Sequence, residues 1–295
     1  MTLTDPQRGH LAMLVFSALV AGSFSLGSMA APFISPLALT SVRFLLAGAI
    51  VGAAAVALGR LNRAALQAPW RYLVLGALLS SYFVAMFEGL KTAAPVSSAA
   101  VFTLTPAMAA AFGWLTLRQR VTPRMGVALA IGGAGALWVI FRADLDALLN
   151  VHIGKGEFIF FWGCMAHALY APLVRKLNRG EAAVTFTFGM MIAGWALLTL
   201  TGWQDLTATD WSALPAIVWI TLVYTAIAAS AATFVLLQFA TMRLPAAKVM
   251  AYTYLVPTWV IVWEIALGRA APPATILIGV ALSILALFLL LKDEG

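Results

Sequence analysis

The chain has 295 residues, of which 63% are hydrophobic and only 10% charged, whereas soluble chains carry about 25% charged residues. That composition excludes a soluble domain and describes an integral membrane protein. The net charge of +7 does not point to nucleic acid, because the Lys and Arg residues are scattered in twos and threes at the ends of apolar runs.

Ten apolar runs approach the roughly 20 residues that cross the hydrocarbon of a bilayer. They cover about 10–29, 36–58, 70–90, 95–117, 122–141, 156–175, 182–202, 212–239, 246–267 and 272–291. The first ends in Ser28-Met29-Ala30, which looks like a signal-peptidase site. Its apolar stretch exceeds the usual length of about 7–15 residues for a signal core, and only Arg8 precedes it, so a mature helix is expected. The fourth run, Ala94 to Gly113, holds Pro106 in its middle. Displaced by 151 residues, Phe83, Val84, Ala100, Leu104 and Pro106 meet Phe234, Val235, Ala251, Leu255 and Pro257. Each proline removes a helix hydrogen bond and bends its helix, so Pro106 and Pro257 read as structural or gating positions. Broken helices in corresponding halves point to a central binding site. Span five is rich in Gly and Ala, and span eight carries small residues from Ala226 to Thr233, surfaces suited to close packing or to hinging. The sixth run contains the single cysteine, Cys164, so no disulfide framework exists within the chain and a buried inert thiol is expected.

Five spans in residues 1–142 and five in 143–295 make the halves an inverted repeat, since an odd number of crossings reverses the second copy. With the N-terminus in the cytoplasm, thirteen basic residues fall on the inner side, among them Arg63, Arg71, Arg118, Arg120, Arg175 and Lys176. Only Lys91, Arg142, Lys155 and Arg269 fall on the outer side, which places both termini in the cytoplasm. Asp144, Asp146, Glu157, Asp205 and Asp210 gather on the outer side. A two-fold axis lying in the membrane lets each half adopt the other's conformation, which is alternating access.

Ala21-Gly22-Ser23-Phe24, Pro36, Arg43-Phe44-Leu45-Leu46-Ala47, Gly89-Leu90-Lys91 and Pro106 resemble the EamA-type drug/metabolite transporters. The second half is similar through Pro245-Ala246-Ala247, Tyr254-Leu255-Val256-Pro257 and Leu267-Gly268-Arg269. The resemblance covers nearly the whole chain and, within that family, is nearest to the YddG exporters of aromatic amino acids. It implies an all-α membrane protein of ten helices in two inverted EamA-type repeats. It also implies export of amino acids and related metabolites across the bacterial inner membrane, with no cofactor or metal. One departure stands out. The family's Leu-Gly-Glu-Arg motif appears here as Leu117-Arg118-Gln119-Arg120 and Leu267-Gly268-Arg269-Ala270, so a coupling role for that glutamate does not carry over.

Charged residues within spans are the first site candidates, because burying one without a partner costs several kcal/mol. Arg43, Glu88 and Glu264 qualify; all three lie toward the outer face, where they either snorkel or pair, Arg43 with Glu88, as structural or gating groups. His167 falls near the middle of span six, as a packing residue or a proton relay. Tyr82, Phe102, Trp162, Tyr170, Tyr224, Tyr252 and Trp259 lie well inside spans, with Met86 as an adaptable wall. Packing alone also accounts for each. Together they describe a wide, mostly apolar pocket for an amino acid with a sizeable side chain. No nucleotide-binding Gly-x-x-x-x-Gly-Lys-Ser/Thr loop occurs and no catalytic constellation can be assembled, so neither an ATP-driven pump nor an enzyme is expected. The expectation is a secondary exporter of aromatic and other neutral amino acids, working as a monomer or weak homo-oligomer in the lipid bilayer. A multidrug or other metabolite transporter of the same fold, or a channel, is the alternative.

Overall fold

The computed structural model describes residues 4–61, 67–141, 144 and 153–292. Within them, ten helices are long and apolar enough to cross a membrane. Spans 1 to 5 are Asp5–Ala30, Pro36–Ala57, Trp70–Gly89, Pro95–Leu117 and Pro123–Ile140; spans 6 to 10 are Lys155–Leu177, Ala183–Thr201, Ala216–Thr241, Ala246–Ala266 and Ala274–Leu291. The expected boundary between halves at Arg142, and the topological charges Arg63 and Asp146, lie outside the described residues.

Proline decides where many of these helices begin. Pro36, Pro95 and Pro123 occupy the first helical turn of spans 2, 4 and 5, where the missing N–H costs nothing. Pro215, Pro245 and Pro273 stand one residue before spans 8, 9 and 10. Span 1 opens on a capping box: the Thr4 hydroxyl accepts from the Gln7 amide while the Gln7 side chain accepts from the Thr4 amide.

The halves are inverted, and pairs of equivalent spans show it directly. Along spans 2 and 7, the Ser41 and Thr199 hydroxyls are 2.9 Å apart, Gly48 faces Ile192 and Gly52 faces Phe188, so the chains run antiparallel. Spans 5 and 10 do the same: Gly135 abuts Gly279, and the Trp138 indole N–H donates to the Thr275 carbonyl at 2.8 Å. Spans 4 and 9 cross with the Thr105 and Thr253 hydroxyls 3.1 Å apart. Three equivalent pairs that meet antiparallel require a two-fold axis perpendicular to the helices. The remaining packing obeys it, with span 1 against spans 8 and 9 as span 6 is against spans 3 and 4.

The two proline-bearing spans are broken as expected. Span 4 is interrupted at Thr103-Leu104, and span 9 passes through a 3-10 turn, Tyr252–Leu255, before Val256. The Thr105–Thr253 contact therefore sets break against break on the axis. Span 8 carries a feature without a proline: Ile227–Ala232 forms a π-helical turn within the small-residue stretch. The equivalent part of span 3 is uninterrupted α-helix.

Candidate functional site

Five of the expected site residues meet in the interior of the bundle. Tyr82 of span 3 has its ring centroid 4.5 Å from that of His167 on span 6 and 5.6 Å from that of Phe102 on span 4. Phe102 and His167 are 5.2 Å apart, His167 and Tyr170 are 6.2 Å apart, and Met86 is buried in the same core. Phe24 and Phe160 complete the cluster, each within 6 Å of another of its rings. None of these side chains is more than 1% exposed. The wide pocket expected from the sequence is therefore closed in this conformation by ring-on-ring packing.

The helical period explains the membership. Tyr170 lies three residues from His167 and shares its face, whereas Trp162 lies five residues away, about 140° around the helix. Trp162 is 56% exposed on the outside of the bundle, touching only Phe158 and Phe161 of its own span among aromatic neighbours. Its assignment to the substrate pocket is corrected to the lipid-facing surface. Tyr224, Tyr252 and Trp259 also fall elsewhere, where the two-fold axis repeats the first cluster's position between spans 1, 8 and 9. Tyr224 donates to the Leu19 carbonyl at 2.8 Å, Tyr252 meets the His10 ring nitrogen at 3.0 Å, and the Trp259 indole donates to Ser17 at 3.3 Å. These three bind span 1 to the second half.

Arg43 overturns its expected place. It is 0% exposed and does not snorkel. Glu88, its expected partner, pairs instead with Lys91 three residues on at 2.6 Å, and Glu264 pairs with Arg269 at 2.7 Å. Arg43 donates through Nε to the Ser230 hydroxyl at 2.6 Å and through Nη2 to the Ala229 carbonyl at 2.7 Å, both in the π-turn of span 8. Its guanidinium lies 3.7 Å over the Phe83 ring. Phe83 in turn meets Phe234, its counterpart from the other half, at 5.7 Å.

Polar atoms inside this region lack partners. Among the described residues, Arg43 Nη1, Tyr82 Oη, His167 Nδ1, Ser98 Oγ, Thr233 Oγ1 and Gln238 Oε1 are buried without a hydrogen bond. Native interiors leave few such groups, and each carries a penalty of about 1–3 kcal/mol. Gln238, itself 1% exposed, stands between the cluster and a neighbouring cleft. Its amide donates to the Tyr170 hydroxyl at 2.9 Å, and it lines a cleft of about 410 Å³ shared by Arg60, Asn178, Glu181 and Arg243.

Beside that cleft is an ion pair that the sequence did not suggest. Arg71, 1% exposed, reaches Glu181 at 2.7 Å and also donates to the Leu177 and Gln67 carbonyls at 2.6 and 2.8 Å. Burial alone would push the Glu181 carboxyl up; the bonds from Arg71 and from the Arg179 amide outweigh it and hold the group below the usual carboxylate range. Near the departed motif, Gln119 accepts the Ala246 amide at 3.2 Å, capping the start of span 9 from the first half.

The sequence pattern of the EamA-like transporter family matches residues 7–141 and, a second time, residues 154–292. An uncharacterized transporter of Bacillus subtilis (strain 168), YyaM, is 25% identical over 195 residues. That alignment spans 65% of this chain and 64% of the relative. A solved crystal structure superposes with a TM-score of 0.72 over 97% of this chain and 96% of its own, at 21% identity, which establishes a shared fold.

Proposed function

This chain belongs to the EamA-like transporter family, as a membrane transporter of the drug/metabolite class, and from that premise we propose that it exports amino acids, aromatic and other neutral ones. Export runs from the cytoplasm across the bacterial inner membrane by alternating access, with both termini cytoplasmic. The two halves, residues 1–142 and 143–295, exchange conformations about the in-plane axis. Substrate enters from the cleft at Gln238 and passes Tyr170 to reach the space between Tyr82, Phe102 and His167.

The observation that carries this reading is the sealed core of aromatic rings with orphaned polar atoms among them, Tyr82 Oη and His167 Nδ1 above all. Packing for stability alone favours apolar groups at such depth, because an unmet hydroxyl or imidazole costs stability with no return. A cargo with a flat apolar side chain and a polar backbone end satisfies both kinds of surface.

Purified protein in proteoliposomes, loaded and challenged with a panel of amino acids with and without a pH gradient, tests the proposal. Saturable counterflow of phenylalanine and tryptophan is expected. Tyr82→Ala lowers it about tenfold, equivalent to about 1.4 kcal/mol, while Trp162→Ala leaves it unchanged. Counterflow of cationic drugs or nucleotide sugars without amino acids overturns the substrate class, and non-saturating flux makes the protein a channel.

A further inference from the structure

Arg43 is a cation buried at membrane depth without an anion. Among the described residues no carboxylate pairs with it, and the acids predicted nearest to it in the membrane, Glu88 and Glu264, are bound to Lys91 and Arg269. Leaving a charge uncompensated in the interior costs several kcal/mol. A residue needed only to pin span 2 to span 8 requires one donor, which a neutral side chain supplies.

The surroundings are instead fitted to a guanidinium with one edge left over. The π-turn of span 8 turns the Ala229 carbonyl and Ser230 hydroxyl toward Nε and Nη2, occupying the side edge of the fork. The Phe83 ring covers one flat face at 3.7 Å. What remains is the end edge, Nη1 with the second Nη2 proton, and Nη1 has no partner. Two parallel N–H groups at that spacing are the complement of one carboxylate. The site is one-sided: displaced by 151 residues, Arg43 corresponds to Gly194, which bears no charge.

We infer that Arg43 is the substrate-anion anchor, binding one carboxylate of the cargo on its free Nη1/Nη2 edge while Tyr82, whose ring lies 4.6 Å from Phe83, and Phe102 receive the apolar side chain. This deepens the amino-acid reading and rests on it for the identity of the cargo, but not for the requirement that the cargo be a carboxylate. The carboxylate neutralises the guanidinium, so the loaded site carries no net charge from that pair and crosses the apolar path at lower cost than the empty one. A phosphate monoester leaves its second charge unpaired on the same edge and is discriminated against.

Four probes that differ only at the head group test this in the wild-type protein: phenylalanine, phenylalaninamide, 3-phenylpropionate and phenethylamine. Protection against thermal unfolding in detergent and competition for phenylalanine counterflow are the readouts. The two carboxylates are expected to bind at least about tenfold more tightly than the amide and the amine, because a site built to hydrogen-bond a group rejects analogues lacking it. Arg43→Gln removes the difference, and Arg43→Lys keeps part of it, retaining charge without the fork. Equal binding of acid and amide by the wild type overturns the inference even if Arg43→Gln fails to fold. Phenylalanine counterflow in Arg43→Gln with unchanged preference over the amide also overturns it. Protection by 3-phenylpropionate that depends on Arg43, without transport of any amino acid, instead removes the amino-acid reading and leaves the anchor in place.

Discussion

The contact of span 2 with span 8 and that of span 7 with span 3 are related by the two-fold axis, yet they are built in opposite ways. In the second, Gly194 and Gly76 bring two backbones together, and the Ser80 hydroxyl reaches the Gly194 carbonyl at 3.4 Å. In the first, the place of Gly194 is taken by Arg43, and residues 227–232, equivalent to 76–81, are wound into a π-turn that accepts its protons. The difference teaches that the shared fold came with the duplication, while the chemistry was placed on one side of the axis only. A large cation where its counterpart has a glycine is accommodated by rewinding the facing helix.

The largest effect that sharpens this contrast is at Gly76. A Cβ there lies 2.6 Å from the Gly194 nitrogen and 2.8 Å from the Met190 carbonyl, backbone atoms that cannot yield. Gly76→Val is expected to cost more than about 4 kcal/mol and to abolish recovery of monodisperse protein in size-exclusion chromatography. Its counterpart Ile227 is 51% exposed, at an apolar cleft beside spans 1 and 2, so Ile227→Ala leaves the same readout unchanged.

Next comes the ion pair at the cleft. Arg71 and Glu181 have apolar counterparts, Leu222 and Ala30, so this lock too exists once. Glu181→Gln leaves Arg71 buried without its anion and is expected to cost about 3 kcal/mol, seen as a lower thermal midpoint in detergent. Because the folded carboxyl is held below its ordinary range, its contribution is present in full above the ordinary value and lost as pH falls through the depressed one. The gap between wild type and Glu181→Gln should therefore close on acidification, and a gap independent of pH would break the assignment.

Ser230→Ala strands the Arg43 Nε donor and is expected to cost about 1–3 kcal/mol, whereas Ser80→Ala on the other side of the axis removes a long bond between neutral groups and costs under about 1 kcal/mol. Equal losses in parallel thermal melts would remove the asymmetry. The smallest effect lies where spans 4 and 9 cross, at a hydroxyl pair whose counterparts are Val256 and Phe102. Thr253→Val should cost about 0.5–1.5 kcal/mol and Thr105→Val more, since it also deletes the 2.7 Å bond to the Phe102 carbonyl; the double variant should cost little more than Thr105→Val alone, because both changes delete the same 3.1 Å contact.

Much of the candidate site was legible because membrane depth limits what a residue can be. Tyr82, Phe102, His167 and Tyr170 stand out as aromatic or titratable groups inside apolar runs, and the structure brings them together. Trp162 met the same criterion and failed it, since depth says nothing of which face a residue occupies; its angular distance from His167 held that information. Phe24, Phe160 and Gln238 carried no signal, as phenylalanine is the ordinary filling of a helix bundle and a lone glutamine announces no partner. Arg43 was visible but given the wrong neighbour, because Glu88 takes a lysine one helical turn away in preference to a distant arginine.

The amino-acid sequence by itself determined ten spans, the duplication between them and, through the odd number of crossings, the inversion of one half. These are local properties: in lipid each segment must close its own backbone hydrogen bonds, so a run of apolar residues becomes a helix whatever surrounds it. Only the tertiary structure decided that Arg43 meets a π-turn 187 residues away, that Tyr82 meets His167, and that Trp162 looks outward. Between helices already formed, association rests on side-chain fit and a few polar bonds, and those depend on rotation and register that no single segment contains.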